Sequence, residues 1–476
     1  AVLLIAPCPA LAVALDLPTS VPWQLPAPEA QADLSPGRRA RNLPLPPEGA
    51  EWLQPAGWES LVRRVGGGVV VMQRGRMVAT SIDLVAWLRD LRQGEADWAN
   101  VDRDGRPGLT PNDLRPFPWS GLAWRQPSGD VWTELLAWVV GERLQRAPLP
   151  RIWPLPDGAR SALVLTVDQG FADSDRIEAL LALAEGARGE LTVLSTRGTR
   201  QVDDAPADGA GGELLSLRAM VRARTWGHGV GAQPNLNGLG DPRLAMQAVE
   251  AQRLRLQGEL KPGELRVVRH HDRRWWGHDA PAEHLADRGY WMELDFGSAA
   301  ARMRGPGFQF GSARPARWQG PTGALLPILS QPTPIDGDAL LGDRADSAGL
   351  SLEQAALGAA NLLDAGIDWA VPVVAQVSAP SIAEAPPNFL DELLAAATAR
   401  ELPIVSAERW ATWSWARLAA AGATAIAPTG DGWTASPSPA AVPLLLWSPG
   451  EDCDAPRPAS LLTGPGCLGP WGPTAP

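Results

Sequence analysis

Residues 162–170 read ALVLTVDQG, an uninterrupted apolar run that ends in Asp168, Gln169 and Gly170. A short apolar run closed by turn residues predicts a strand that is buried on both faces, as in a parallel sheet. Asp168 then lies at the carboxyl end of the strand, where α/β folds place their active sites. A plainer alternative is that Asp168 only caps the helix that follows.

Strand-like and helix-like patterns alternate on both sides of this run, from residue 151 to residue 420. Asp241 followed by Pro242 gives a clear helix start, because Asp caps the first turn and Pro fits the first helical position. Further strands are predicted at 191–194, 224–226 and 265–268, and another is predicted to end at Leu294. A helix is predicted at 214–221, and two strands in the tail are predicted at 424–427 and 442–447. The alternation predicts an α/β fold with a mainly parallel sheet, either open or closed into a barrel.

Composition divides the chain into four segments. Many prolines between residues 17 and 55 block helix and central strand alike, so residues 1–57 are predicted to be an apolar leader and a linker. Residues 58–150 are predicted to form a small α/β unit, residues 151–420 the main α/β domain, and the Gly- and Pro-rich residues 421–476 a β-rich tail.

Charge and the amino-terminal segment limit the possible partners. A net charge of −11 argues against a nucleic-acid surface, which needs clustered Lys and Arg. The apolar residues 1–15 are too short to span a membrane, but Ala12-Val13-Ala14 is typical of a signal-cleavage site, which predicts export. The three cysteines lack zinc-site spacing, and Cys453 with Cys467 are either a disulfide or two free thiols.

The histidines point to a site in one part of the chain. All five lie between residues 228 and 284: His228, His270, His271, His278 and His284. His228 follows the strand predicted at 224–226, and Arg269, His270 and His271 follow the strand predicted at 265–268. Carboxyl ends of parallel strands meet at one edge of a sheet, so these residues are expected near Asp168. A lone histidine such as His228 is structural about as often as it is functional.

Three stretches in this order carry a family resemblance: TVDQG at 166–170, HGVGAQP at 228–234, and RHH at 269–271 with Trp275 shortly after. They resemble the ordered motifs of the polysaccharide deacetylases, the NodB-like homology domain of carbohydrate esterase family 4. The resemblance covers roughly residues 150 to 416. It implies a distorted parallel (β/α) barrel of the polysaccharide deacetylase type, with the small α/β unit before it and the β-rich tail after it.

The resemblance also implies roles for single residues. Asp168 corresponds to the catalytic base and His228 to a metal ligand, while Gln169 and Gln233 stand where the family has a metal-binding Asp and His. His271 is a second catalytic candidate in a rebuilt site. Arg269, His270 and Trp275 are expected to bind the substrate. Gln376 lies on the strand that usually carries the acid His.

Two functions follow from this resemblance. The first is a metal-dependent hydrolase that removes N- or O-acetyl groups from a cell-surface or extracellular polysaccharide. In it, zinc, cobalt or nickel would activate a water molecule and Asp168 would take its proton. The second is an inactive deacetylase-like protein that binds glycan or serves as a scaffold, with no metal at all, because Gln offers only a weak amide oxygen to a divalent metal.

Overall fold

The computed structural model describes most of the chain. The described residues are 2–5, 17, 20–24, 29–35, 38–46, 48–53, 57–103, 108–114, 126–139, 151–152, 154–170, 172–196, 217–236, 239–260, 265–297, 306–308, 311–341, 348–379, 388–423, 425–429, 432–436 and 446–447. Cys8, Cys453 and Cys467 lie outside the described residues, so a disulfide between Cys453 and Cys467 stays a prediction. No helix within these ranges is long and apolar enough to cross a membrane.

The chain forms two compact units. The first comprises residues 1–92, 116–158 and 421–476, and the second comprises residues 93–115 and 159–420. The predicted boundary near residue 150 therefore falls inside the first unit.

The first unit is built on an eight-stranded sheet with the order β1-β8-β7-β6-β3-β4, in which β2 pairs with β5 and β5 with β7. Its strands are β1 (Val2–Ile5), β2 (Ser20–Gln24), β3 (Glu29–Ser35), β4 (Arg38–Pro44), β5 (Glu48–Trp52), β6 (Glu59–Arg64), β7 (Val69–Arg74) and β8 (Met77–Thr80). Helices α1 (Leu84–Gln93) and α2 (Ser128–Trp138) follow. Two short strands, β9 (Arg151–Ile152) and β22 (Leu446–Trp447), pair antiparallel.

Strands run through the segment that the prolines predict to be a linker. Val2–Ile5, in the expected leader, pairs parallel with β8, and β2 to β5 occupy most of residues 20–52. Pro22 lies in β2, whose only partner in the described sheet is β5. An edge strand tolerates proline, because the missing N–H group has no ladder bond to make on the open side. The linker expectation is corrected: strands form among the prolines, and two of them, β3 and β5, have a partner on each side.

The second unit carries a ten-stranded sheet with the order β15-β16-β14-β13-β12-β11-β10-β18-β17, and β19 also pairs with β10. Its strands are β10 (Ala162–Asp168), β11 (Thr192–Ser195), β12 (Gly229–Ala232), β13 (Val267–Val268), β14 (Met292–Glu293), β15 (Ala316–Gln319), β16 (Leu325–Ser330), β17 (Ile335–Asp336), β18 (Pro372–Ser378) and β19 (Ile404–Ser406). Its helices are α3 (Ser174–Gly186), α4 (Leu217–Thr225), α5 (Pro242–Glu259), α6 (Ala280–Asp287), α7 (Gly337–Leu341), α8 (Leu352–Trp369), α9 (Phe389–Ala399) and α10 (Ala407–Ala423).

The sheet of the second unit confirms the predicted α/β class. β10 and β18 are buried along their whole length, as expected for parallel strands covered on both faces. The sheet curls like part of a barrel, but β15 runs antiparallel and does not pair with β17 in the described part of the chain. Closure into a full parallel barrel is therefore not confirmed.

One local difference from the prediction moves a candidate residue. The segment predicted as a strand at 224–226 continues helix α4 to Thr225. Gly227, with φ of 87°, turns the chain out of this helix, and the strand begins only at Gly229. His228 therefore precedes β12 instead of following a strand.

The β-rich tail is described only in part. β20 (Ala425–Thr429) and β21 (Gly432–Ser436) form an antiparallel hairpin, which lies in the first unit. Of the strand predicted at 442–447, Leu446–Trp447 is described.

Candidate functional site at the strand ends

The carboxyl ends of neighbouring parallel strands bring several predicted residues side by side. Backbone hydrogen bonds continue the ladder at and just beyond the strand ends. The donors are the N–H groups of Gln169, Gln233, Arg269 and His271, and the acceptors are carbonyls of neighbouring strands or of the residues that follow them, at 2.8 to 3.1 Å. The strand-end site is defined here by the residues that these bonds align: Asp168, Gln169, Ser195, Gln233, Arg269 and His271.

Asp168 ends β10 and is largely buried. Its Oδ1 accepts the N–H of Gly170 at 2.8 Å, which fixes the carboxylate across the turn. Gly170 has φ of 50°, a conformation that favours glycine. Asp168 does not cap the next helix, because Asp173 does so by accepting the Arg176 N–H at 2.8 Å. The residue that caps this helix is therefore Asp173, and the alternative that Asp168 caps it is wrong.

His271 lies beside Asp168, as its selection as a catalytic candidate requires. Its Nδ1 is 3.9 Å from Asp168 Oδ2, and its Nε2 is 3.8 Å from Asp272 Oδ2. Both distances are too long for hydrogen bonds but allow direct electrostatic attraction. The side chains of His271 and Asp272 are 25% and 28% exposed, so both reach solvent at the strand ends.

The turn that presents His271 is strained. Asp272 and Arg273 have φ of 53° and 55°, in the left-handed region that residues with a Cβ atom adopt at a cost. Arg273 anchors the turn, since it is buried and its Nη2 lies 3.3 Å from Asp336 Oδ2. A Cβ atom at Gly297 would sit 2.2 Å from Arg273 Nη1, so glycine there leaves the space through which the guanidinium passes.

Arg269 shares the same carboxylate. Its Nη2 donates to Asp336 Oδ2 at 3.3 Å, although β12, β11, β10 and β18 separate the two residues in the sheet order. This ion pair therefore spans the curl of the sheet. Burial lowers the Arg269 pKa, and the nearby Asp336 opposes that shift. Its Nε and Nη1 atoms are buried and have no hydrogen-bond partner within the described residues.

His270 is held away from solvent by a carboxylate. Its backbone N–H donates to Asp295 Oδ1 at 2.7 Å and its Nδ1 lies 2.9 Å from Asp295 Oδ2. Asp295 in turn donates its N–H to Glu293 Oε2 at 2.7 Å. Burial and the charge of Asp295 raise the pKa of Glu293 to about 8. His270 thus fixes the backbone next to His271, and its side chain is only 4% exposed.

Gln169 and Gln233 lie where the resemblance places metal ligands. Gln169 Oε1 accepts the Ser195 hydroxyl at 3.0 Å, so this amide oxygen is already engaged. Gln233 is buried, and its Oε1 has no partner within the described part of the chain. Gln376 on β18 is also buried, and its Oε1 likewise has no hydrogen-bond partner among the described residues. The strand ends are therefore lined with neutral amides.

His228 is not brought to the strand-end site. In the ladder register Gly229 pairs with Thr192, and Thr192 with Thr166, so His228 lies level with Leu165. That is three residues below Asp168, or about 10 Å along the strand direction. Both ring nitrogens of His228 have partners, because Nδ1 accepts the Leu191 N–H at 3.1 Å and Nε2 lies 3.3 Å from Glu185 Oε1. The histidine ties a strand start to a helix.

Trp275, expected to bind substrate, belongs to the core. It stacks on Trp318 with ring centroids 5.6 Å apart and meets the edge of Phe296 at 5.5 Å. Its Nε1–H donates to the His278 carbonyl at 3.0 Å. With only 1% of its surface exposed, Trp275 has no ring face to offer a sugar.

The residues present do not fit the catalytic metal that the deacetylase resemblance implies. A catalytic zinc site needs three protein ligands that converge on one point. No group of three or more His, Cys, Asp or Glu side chains among the described residues is arranged to hold a metal ion. Asp168 and His271 offer two donors, and Asp272 lies on the far side of the His271 ring.

Several residues of the site were not selected from the sequence. Asp295 follows the strand predicted to end at Leu294, so the strand-end rule applied to Asp168 points to it as well. The same rule points to Ser195, which follows the strand predicted at 191–194. Asp336 and Gln252 carry no such signal, because only the curl of the sheet and the packing of α5 bring them to the strand ends.

No family model and no curated protein sequence matches this chain. Solved structures do. A protein described as a polysaccharide deacetylase from Mycobacterium smegmatis matches with TM-score 0.40 and 13% identity over 57% of this chain and 96% of its own. Peptidoglycan deacetylase PdaC from Bacillus subtilis matches with TM-score 0.30 and 12% identity over 54% of this chain and 91% of its own.

The carbohydrate deacetylase Agd3 matches over 92% of this chain and 76% of its own, with TM-score 0.34 and 8% identity. At these TM-scores the likeness does not assign an activity. The predicted resemblance is confirmed to this extent: polysaccharide, peptidoglycan and carbohydrate deacetylases are among the solved structures to which this chain is similar.

Proposed function

We propose that this chain binds carbohydrate at the strand-end site and does not hydrolyse acetyl groups there. The observation that carries the proposal is the replacement of the expected metal ligands. Gln169 is hydrogen-bonded to Ser195, Gln233 is a neutral amide, and His228 lies at the other end of its strand. Without an ion to polarise an acetyl carbonyl and activate water, a deacetylase of this type loses its main source of rate.

Carbohydrate binding is supported by the polar groups that reach solvent. The His271 ring lies between two carboxylates, with Nδ1 3.9 Å from Asp168 Oδ2 and Nε2 3.8 Å from Asp272 Oδ2. The side chains of Asp168, His271 and Asp272 are 11%, 25% and 28% exposed. Carboxylate oxygens accept hydrogen bonds from hydroxyl groups, and an imidazole both donates and accepts. Neighbouring hydroxyl groups of a sugar could therefore form hydrogen bonds with these three side chains. Export to the cell envelope or beyond stays a prediction and gives the setting in which a polysaccharide would be met.

Hydrolysis of N- or O-acetyl groups is the second candidate, and it is favoured by one observation. Asp168 retains the base position with His271 only 3.9 Å away, so a proton acceptor and a proton carrier are adjacent. In this case acetate would be released from the glycan, and the release would depend on Asp168.

The two candidates separate in one set of measurements on the full chain. Binding to acetylated and deacetylated chitooligosaccharides and to peptidoglycan fragments is measured by calorimetry, and acetate release is measured with and without zinc, cobalt or nickel. Asp168→Asn keeps the acceptor for Gly170 and removes the charge. Asp241→Asn is the control, because Asn caps helix α5 as well as Asp does.

We expect binding by the wild-type and Asp241→Asn proteins, a loss of about tenfold or more in Asp168→Asn, and no acetate release. The tenfold figure corresponds to one hydrogen bond to a charged group. If acetate is released in a metal-dependent way and Asp168→Asn abolishes the release, hydrolysis replaces carbohydrate binding as the proposed function. If the protein shows no binding and no acetate release with any of these glycans, both candidates are overturned.

A further inference from the structure

Hydrogen bonds made by three buried side chains and by the backbone of Gln233 join the strand ends. Ser195 at the end of β11 donates its hydroxyl to Gln169 Oε1 at 3.0 Å, beyond the end of β10. Gln252 on helix α5 donates its Nε2 to the Gln233 carbonyl at 3.0 Å and to the Ser195 carbonyl at 3.4 Å. The amide cluster is defined by these four residues, each of which is at most 1% exposed.

We infer that the amide cluster takes over the structural role of a metal ion at these strand ends, so that the folded second unit is stabilised by these amides and not by a divalent cation. The inference goes beyond carbohydrate binding, because it concerns what holds the strand ends together whether or not a ligand is present.

The pattern of contacts supports this role. A metal ion would fasten side chains from different strands to one point. The cluster fastens the same elements by other means: the Ser195–Gln169 bond joins β10 to β11, and Gln252 joins α5 to the ends of β11 and β12. The Gln233 N–H completes the ring by donating to the Ser195 carbonyl at 2.9 Å. Since the amide cluster is buried, each hydrogen bond that is lost leaves a polar group without a partner, and this lowers the free energy of unfolding.

Charge argues in the same direction. An aspartate at position 169 would place a second carboxylate in a buried position directly after Asp168. Burial disfavours the charged form of a carboxylate unless a positive charge lies nearby. A glutamine places no charge in this buried position and still provides an oxygen for the Ser195 hydroxyl. The sequence at 168–169 is thus suited to a strand end that holds no cation.

Thermal unfolding of the full chain tests the inference without any glycan. Variants Gln252→Leu and Ser195→Ala remove the two connecting side chains, and Gln247→Leu on the exposed face of the same helix is the matched control. Each protein is measured after dialysis against EDTA and again with one equivalent of zinc, and bound metal is counted by mass spectrometry.

We expect Gln252→Leu and Ser195→Ala to lower Tm by about 3 to 8 °C, Gln247→Leu to leave it within about 2 °C, and zinc to change none of them. Gln169→Asp is expected to lower Tm as well, and zinc is expected not to restore it. One zinc per chain with a rise in Tm that Asp168→Asn abolishes would overturn the inference. Equal shifts for Gln252→Leu and Gln247→Leu would do the same. Glycan affinity of the EDTA-treated protein is measured separately, so a failure of carbohydrate binding leaves these outcomes unaffected.

Discussion

Replacing Gly229 with alanine probes the packing beneath the parallel sheet. Gly229 begins β12, and a Cβ atom there would lie 1.6 Å from Glu408 Oε2 and 2.6 Å from Thr192 Oγ1. The Thr192 hydroxyl donates to Glu408 Oε2, and burial raises the pKa of Glu408. Gly229 does not have a positive φ, so alanine meets no backbone strain at this position. The expected effect is therefore steric.

The size of the effect follows from these contacts. Ordinary contact begins near 3.4 Å, so the carboxyl group must move by about 1.8 Å and give up the Thr192 hydroxyl. Overpacking costs about 1–3 kcal/mol, and the lost hydrogen bond about 1–2 kcal/mol more. We expect the unfolding free energy to fall by about 2–5 kcal/mol. For a unit of this size, Tm then falls by roughly 5 to 15 °C.

The assay is thermal and urea unfolding of Gly229→Ala, Glu408→Ala and the double variant. Glu408→Ala removes the nearer of the two obstructing groups and leaves the 2.6 Å contact with Thr192 Oγ1, so in that background Gly229→Ala is expected to cost about 1–2 kcal/mol less than in the wild-type protein. Gly186→Ala is the control, because Gly186 ends α3 with no atom within 4 Å of its Cβ position. The reasoning is refuted if Gly229→Ala costs the same with and without Glu408, or no more than Gly186→Ala.

Two further substitutions test the description of the core. The folded-state pKa of Glu293, about 8, lies above the unfolded value of 4.5, so the native protein holds an extra proton between them and loses stability as pH rises from about 5 to 8. Glu293→Gln should remove this loss, on the order of 4 kcal/mol, and flatten the dependence of Tm on pH; parallel profiles for both proteins would contradict it. Trp275→Ala should lower the unfolding free energy by about 3–5 kcal/mol and leave the glycan Kd of the folded protein unchanged. If folded Trp275→Ala binds glycan more weakly, Trp275 contributes to glycan binding and is not only a core residue.

Elements with a strong local signal were predicted well. The strand at 162–168 is confirmed because seven consecutive buried residues leave only a parallel-sheet position for them. The helix start at Asp241 and Pro242 is confirmed because its cap is local: the Asp241 side chain accepts the backbone N–H of Arg243, two residues later. The strand at 224–226 is wrong, because Gly227 ends a helix there and short polar segments carry no period that separates helix from strand.

The sequence by itself determined the α/β class, the place of Asp168 at a strand end, and the presence of Gln169 and Gln233 where the resemblance places metal ligands. Each of these depends on residue type or on neighbours along the chain. Only the tertiary structure decided that His228 lies at the opposite end of its strand, that Trp275 is in the core, and that Arg269 meets Asp336 across the curl of the sheet. These facts depend on strand register and on sheet curvature, which arise from contacts between residues far apart in the chain, and no local pattern encodes them.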